Sequence, residues 1–504
     1  MPDQAGDCAQ PSRSATSEPH FDVLVIGCGF AGVCMGIHLR RARFSFAILE
    51  RGGDIGGTWR DNTYPGCACD IPSHLYSFSF ELNPGWSRVY PSQPEILDYL
   101  RRCVDKYGLR ESIKLDCEVR EAGFDASANI WRVRTGTGDR FSAAALVLAT
   151  GLLSRPAVPS IAGIERFKGA AFHSAHWKHG YDLAGKRVAI IGTGASAIQI
   201  VPQIAPRAAQ LAIFQRTPPW VLPKPDGAIG NWMRLMFQRV PAAMRLFRAL
   251  LYLLQEGSAL GFLHPRLMRP AKKLALAQMA RRLADPNLRR ALEPKYAVGC
   301  KRILLSNDYY PALARSNVEL ITDAIAEIRD RTIVTSEGTE HEVDAIIFAT
   351  GFRAADVLAP MRIVGRDGIE LDAAWRGGAK AYRGITVSGF PNMFMLMGPN
   401  TLLGHNSIVF MIEAQVHYVL QCLKWLRRRP AIAIDLRPAV QGRFNRDLQR
   451  RLGRSVWASG CQSYYLDDRG RNVTVWPGST VRYWLLTRRF SPNDYSLLRG
   501  ARGM

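Results

Sequence analysis

The chain has 504 residues, 47% of them hydrophobic and 22% charged, which is enough for two or more domains with a large buried core and excludes a disordered protein. It contains no uninterrupted apolar run of about 18 residues, so no spanning helix is expected. The net charge of +23 would suit nucleic acid, yet Arg and Lys are spread widely and no nucleic-acid-binding motif surrounds them; phosphate-bearing cofactors or an anionic membrane surface fit better.

Residues 1–20 are polar, lack the apolar core of a secretion signal, and read as a disordered leader. The first informative segment is FDVLVIGCGFAGVCMGIHLRR. Val23 to Ile26 predict a buried strand, Gly27, Gly29 and Gly32 a turn, and the rest a helix; the next apolar run, FSFAILE, ends on Glu50. This is the strand–glycine turn–helix–strand–acid order of a dinucleotide site. Gly27 permits the tight turn, Gly29 lets backbone N–H groups approach a pyrophosphate, and Gly32 lets the helix pack close to the strand. The helix N-terminus faces the anion, and Glu50 can accept ribose hydroxyls, as FAD would require.

A second copy follows in GKRVAIIGTGASAIQIVPQIA, with a strand over Val188 to Ile191, Gly192 and Gly194 in the turn, and Ala197 in place of the third glycine. Thr193, Ser196 and Gln199 of the turn and first helical residues are counted with the cofactor contacts. Where the first copy ends on an acid, this one has Gln215, Arg216 and Thr217. A carboxylate would repel a 2′-phosphate, whereas a guanidinium and a hydroxyl bind it, so the second site should take NADPH. Two further runs, ALVLATG (Ala145–Gly151) and DAIIFATGF (Asp344–Phe352), are buried strands ending in Ala-Thr-Gly. The expected fold is α/β, two nested dinucleotide-binding domains with a helical insertion. Its segments are 21–150 (first part of the FAD domain), 151–225 (first part of the NADPH domain), 226–298 (insertion), 299–384 (second part of the NADPH domain) and 385–504 (second part of the FAD domain with a C-terminal element).

The insertion shows helical spacing broken at Pro241, Pro265 and Pro270. Over residues 231–285 its basic residues, among them Arg245, Arg248, Lys272 and Lys273, greatly outnumber the acids, Glu256 and Asp285. Two readings stand: a solvated helical subdomain lining the substrate entrance, or a surface resting on anionic membrane. Trp476 near the C-terminus either borders a substrate pocket or packs the last element. The ten cysteines lack regular spacing and form no disulfide framework, which suits a reducing, cytoplasmic setting.

The stretch RFKGAAFHSAHWKHG fits neither helix nor strand period. Phe167, Gly169, His173 and Trp177 match the fingerprint Phe-x-Gly-x-x-x-His-x-x-x-Trp, and GGTWRDNTYPGCACD adds Gly57, Trp59, Tyr64, Pro65, Gly66 and Asp70. On these motifs the chain, from about Phe21 to about Tyr483, resembles the class B flavoprotein monooxygenases and within them the Baeyer–Villiger monooxygenases. The resemblance implies that NADPH reduces FAD, that O₂ adds to give a C4a-peroxyflavin, and that a small lipophilic ketone becomes an ester or lactone. It implies a linker role for the fingerprint, with His173 near the domain junction. His176 and His179 are not required by it and read as a packed loop; no metal site is expected. The resemblance also assigns Arg302, in the pair Lys301-Arg302, as the fixed cation beside the flavin, Asp70 as its partner, and Lys301 as a 2′-phosphate ligand with Arg216. It adds Gly57, Thr58, Trp59, Tyr76 and Val119 as FAD contacts; late in the chain, FMLMGPNTLLGHNSIVFMIEAQV reads as strand, loop and helix, and a helix starting near Asn406 or Ser407 would aim its positive end at the flavin. The rival chemistry is oxidation of sulfur or nitrogen by the same type of enzyme. A disulfide reductase would need a paired redox motif, which Cys67 and Cys69 do not form. A nucleotide sensor without chemistry would be expected to have lost Arg302 or a glycine turn.

Overall fold

The structure, a computed structural model, describes residues 18–354, 358 and 360–500; the expected leader lies almost wholly outside them. The chain opens with β1 (His20–Ile26), α1 (Phe30–Arg41), β2 (Phe46–Leu49), β3 (Ile113–Lys114), β4 (Val119–Asp125), β5 (Ile130–Thr135) and β6 (Arg140–Leu148). β1 pairs in parallel with β2 on one side and β6 on the other. Being flanked on both edges and covered on both faces, its last four residues, Val23–Ile26, are all buried, which explains an apolar run without alternation.

The second sheet is built from β7 (Ala170–His173), β8 (Arg187–Ile191), β9 (Gln210–Phe214), β10 (Val318–Ile321) and β11 (Ala345–Phe348), in the order β10-β9-β8-β11-β7 and parallel throughout. After β8 comes α2 (Ala197–Ile204). The chain then returns to the first sheet. β12 (Arg362–Val364) pairs with β4 and β13 (Met393–Met395) with β6, so the return begins before residue 385, the boundary read from the sequence. The order in the first sheet is β12-β4-β5-β6-β1-β2-β3, with β13 beside the far half of β6. In each sheet the glycine-turn strand lies between its successor and a later strand, which is the switch point where doubly wound sheets bind ligands.

One expectation about the fingerprint is corrected. Ala170–His173 is a strand, β7, at the edge of the second sheet. The stretch as a whole shows no strand period because only its middle is strand: His173 belongs to β7, His176 ends a short 3₁₀ turn, and His179 lies beyond it, its Nε2 2.8 Å from Thr63 Oγ1.

The insertion forms α3 (Asn231–Arg239), α4 (Pro241–Leu263), α5 (Arg269–Arg282) and α6 (Pro286–Leu292). Pro241, Pro270 and Pro286 stand in first turns, where their missing N–H costs no helical hydrogen bond, so the prolines separate helices instead of kinking one. The C-terminal region supplies α7 (Ile408–Arg427), packed on α1, and α8 (Thr480–Thr487), packed on α7. Trp476 is buried edge-on against Tyr483 of α8, so it packs the final elements.

Candidate active site

A cleft of about 1170 Å³ runs between the two sheets and is lined by both glycine turns. In the first cradle Gly27 has φ +100, and a Cβ there would stand 2.6 Å from the Ala149 carbonyl oxygen. In the second, Gly192 has φ +110, and a Cβ would stand 2.5 Å from the Ala349 carbonyl oxygen. The two Ala-Thr-Gly runs are thus where the chain crosses each glycine turn, and the turn needs glycine for its conformation and for clearance alike. A Cβ on Gly32 would strike the carbonyl of Gly27. Gly29 and Gly194 have no such obstruction and leave backbone open toward the cleft.

Glu50 is buried and uses its carboxylate to brace the turn. Oε2 accepts from Cys28 N (2.7 Å) and Oε1 from Gly52 N (2.9 Å), while Arg60 Nη1 pairs with Oε1 at 2.7 Å. Arg60 went unnoticed in the sequence, although it follows Trp59 directly. Oε2 keeps a free lone pair at the cleft wall. Gly57, with φ +52, opens the short helix Thr58–Asp61, which carries Trp59. Trp59 Nε1 donates to Tyr76 Oη (3.1 Å), and both rings line the cleft with Val119.

Across the cleft, Thr193 Oγ1 donates to the Thr217 carbonyl (3.1 Å), holding the strand end beside the second turn. Ser196 precedes α2 and lines the cleft. Gln199 also lines the cleft, where it accepts from Tyr64 Oη (3.0 Å) and donates to the Ala68 carbonyl (3.0 Å), binding α2 to the first unit's loop. Arg216 and Lys301 both line the cleft, and neither makes an ion pair with a carboxylate among the described residues. Burial, and after it the Arg216 charge, pulls the Lys301 pKa below the ordinary lysine value. Two cations facing each other without an acid suit a doubly charged phosphate.

Between the cradles Arg302 meets Asp70 in a two-pronged pair: Nε donates to Oδ2 at 2.8 Å and Nη2 to Oδ1 at 2.7 Å. Both side chains remain about a quarter exposed, at 26% and 27%, on the cleft side. The Asp70 carboxylate raises the Arg302 pKa further, against the effect of burial, so the guanidinium stays charged. Leu403 O lies 3.5 Å from Nη1. Cys300, next to Lys301, is disulfide-bonded to Cys461, with Cα atoms 6.3 Å apart. One disulfide is not a framework, but it runs against the reducing setting expected from the cysteine spacing. Partners 161 residues apart leave no spacing signal, and the other described cysteines are free and buried.

His173 Nδ1 accepts from Ala175 N (3.1 Å), so Nε2 carries the proton and donates to Gly351 O (3.1 Å). Burial lowers its pKa to about 4. The ring is thereby locked, neutral, onto the second Ala-Thr-Gly crossing. Phe167 folds against Gly169, where a Cβ would meet the Asp344 carbonyl and the Phe167 ring. Trp177 stacks edge-on to Phe172 of β7. Among the described residues no group of His, Cys, Asp and Glu could hold a metal ion.

Ser407 caps α7, accepting from Val409 N at 3.3 Å, and donates to Leu75 O at 2.9 Å. Asn406, just before it, donates to Glu256 Oε2 at 3.0 Å. Glu256 also accepts from Thr480 N and Oγ1, both at 2.7 Å. Burial opposes its charge, but His405 beside it and the hydrogen bonds from Thr480 and Asn406 prevail and lower its pKa to about 2. The insertion's one acid between α3 and α5 therefore anchors the loop leading into α7. Arg248 is corrected in the same way: grouped with the surface cations, it is instead half-buried and donates to the His74 carbonyl and Ser77 Oγ.

Two glycine-turn cradles facing one cleft, with a fixed arginine–aspartate pair between them, define a two-dinucleotide oxidoreductase architecture. Residues 21–358 match the family model described as flavin-binding monooxygenase-like. A Baeyer–Villiger monooxygenase of Pseudomonas aeruginosa is 49% identical over 97% of this chain and 93% of its own length. One of Streptomyces coelicolor is 47% identical over 96% and 93%. Among solved structures, an oxidised steroid monooxygenase bound to NADP superposes with a TM-score of 0.86 at 30% identity, covering 96% of this chain and 100% of that one. A closed cyclohexanone monooxygenase gives 0.85 at 27% identity, covering 96% and 100%. The chain belongs to the flavin-binding monooxygenase-like family, among its Baeyer–Villiger monooxygenases.

Proposed function

We propose that this protein binds FAD in the first cradle and NADPH in the second, and converts a lipophilic ketone, O₂, NADPH and a proton into an ester or lactone, NADP⁺ and water. The observation that carries this reading is the Arg302–Asp70 pair, a permanent cation held by two hydrogen bonds on the cleft wall between the cradles. FAD, when bound and reduced by NADPH, supplies the activation of oxygen. The chain's own residues position and charge the site. Arg302 stabilises negative charge on the attacking oxygen and on the oxyanion formed at the ketone carbon. Asp70 fixes the guanidinium's direction without cancelling a charge that carries further donors. Arg216 and Lys301 hold the 2′-phosphate, and Glu50 the first cradle's ribose. The capped end of α7 places partial positive charge at the cleft. His173 ties β7 to the crossing beside the second turn, so movement of the second unit is felt at the cofactor.

Oxidation of sulfur or nitrogen, the alternative, does not need a fixed cation, since its reactive oxygen acts as an electrophile. Arg302→Ala should therefore keep NADPH-driven flavin reduction and lose ester formation by at least about a hundredfold, the scale of losing one preorganised donor to a developing oxyanion. Asp70→Ala should follow more mildly. Product analysis with a cyclic ketone and a thioether decides between the readings. Undiminished lactone yield from Arg302→Ala would sink the assignment.

A further inference from the structure

The long helix α4 has an inner face that packs on the protein and an outer face of exposed leucines. Tyr252, Glu256 and Ala259, at spacings of four and three, point into the protein: Tyr252 Oη and Thr480 Oγ1 are 2.7 Å apart, Glu256 holds Thr480 and Asn406, and Ala259 is buried. Leu246, Leu250, Leu253 and Leu260 recur at four, three and seven, so they share one line on the outward side, with Leu254 beside it. All five are more than half exposed. The stripe runs roughly 21 Å along the helix, at 1.5 Å per residue. α8 lies beside α4, joined to it where Glu256 accepts from the N–H of Val481, and it exposes Val481, Trp484 and Leu485. An apolar surface carried by two neighbouring helices is not the scatter of single leucines normal to a soluble surface.

The surrounding charge says what would cover it. Residues 231–282 contain ten Lys and Arg residues and one acid, Glu256, which is used internally. Arg245, Arg266, Arg269 and Lys273 are exposed and make no ion pair among the described residues. A second copy laid on this face would bring like charge against like. An anionic lipid surface offers phosphate to the cations and acyl chains to the leucines at once. No helix of the described residues is long and apolar enough to cross a membrane, so the contact is one of lying on the surface.

We propose that the outward leucine stripe of α4, with the exposed face of α8 and the flanking arginines and lysine, docks this protein on anionic phospholipid. The docking does not rest on the ketone reading. It does bear on substrate delivery: Phe262, near the end of α4, packs against Gly299 and Gly404, beside Arg302 and the Leu402–Asn406 loop of the cleft.

The test is co-sedimentation of the FAD-loaded full chain with equimolar phosphatidylglycerol–phosphatidylcholine vesicles and with pure phosphatidylcholine vesicles. Binding is expected to the first only. It should fall by about tenfold or more in Leu250→Ser/Leu254→Ser and in Arg266→Glu/Arg269→Glu, and on raising salt. Both variants alter exposed side chains and should keep the wild-type melting temperature and flavin content. Failure to bind anionic vesicles, or binding indifferent to both variants, would overturn the proposal. So would sedimentation velocity showing a dimer that Leu250→Ser/Leu254→Ser dissolves, because the stripe would then be covered by a second copy.

Discussion

The two cradles use one backbone device and differ where side chains decide. Gly27 and Gly192 both take positive φ and both lie against a carbonyl of an Ala-Thr-Gly crossing, at 2.6 and 2.5 Å from a would-be Cβ. They part at the third position. Gly32 presses on the carbonyl of Gly27, whereas the second copy accommodates Ala197 there, fully buried. They part again at the end of the following strand. Glu50 is a carboxylate already holding two backbone N–H groups and Arg60; Arg216 faces Lys301 with no acid. Turn geometry is dictated by the backbone and is common to both, while the charge beyond the turn differs, and that difference is what we propose selects the nucleotide.

The largest effect should come from exchanging the third positions. Gly32→Ala forces a Cβ into backbone that cannot step aside, so we expect a loss of at least about 3 kcal/mol and poor flavin retention. Ala197→Gly should cost about 1 kcal/mol, the helix-propensity difference. Thermal melts and flavin content of the two purified variants would show this; equal losses would mean that the two helices sit alike.

The next concerns the covalent tie between the second unit and the C-terminal segment. Cys300→Ser should lower stability by about 2–4 kcal/mol, and reductant should bring the wild-type protein to the same melting point. Thiol titration before and after reduction checks the pairing, and a melting point blind to reductant would count against it.

A somewhat smaller effect is expected from the charge difference. Arg216→Ala or Lys301→Ala should weaken NADPH by about 1.5–3 kcal/mol, seen as a tenfold or greater rise in KM, and leave NADH nearly unchanged. FAD content should not move. Equal rates with NADH and NADPH in the unmodified protein would remove the distinction between the cradles.

The smallest effect per residue is a pH effect, carried by two histidines in the first unit and one in the second. Burial lowers the pKa of His38 and His74 in the first unit and His173 in the second to about 4. Each is neutral when folded and binds a proton more readily when unfolded. Their stabilising contribution is therefore present above about 6.5 and lost as pH falls toward 4. By about pH 5.5 each should have lost roughly 1.4 kcal/mol. His173→Gln should flatten the melting-temperature profile only in part, and a profile of unchanged slope would place the proton uptake elsewhere.

Most of the fold was legible because dinucleotide units advertise themselves locally. A buried strand, a glycine turn and a helix are contiguous, and each element's reason lies within a few residues. The pairing of Asp70 with Arg302 entered through family resemblance, since 232 positions separate them. Arg60 behind Glu50, Gln199 bridging to Ala68, and Glu256 beneath Asn406 were not legible, because each is defined by a partner contributed from a different segment. Arg248 shows the opposite failure. Composition counted it among surface cations, but its position on the inner face of α4 gave it the His74 carbonyl as a partner.

Local chemistry was enough to read two glycine turns and the different charge beyond each, because φ at a glycine and charge at a strand end are properties of a few adjacent residues. Only the packed chain decided which cation faces the cleft, which acid is spent on bracing, and which leucines of the insertion are left in contact with solvent. Those outcomes depend on distances between segments far apart in sequence, and such distances are set by how the two sheets and the inserted helices bury their common core.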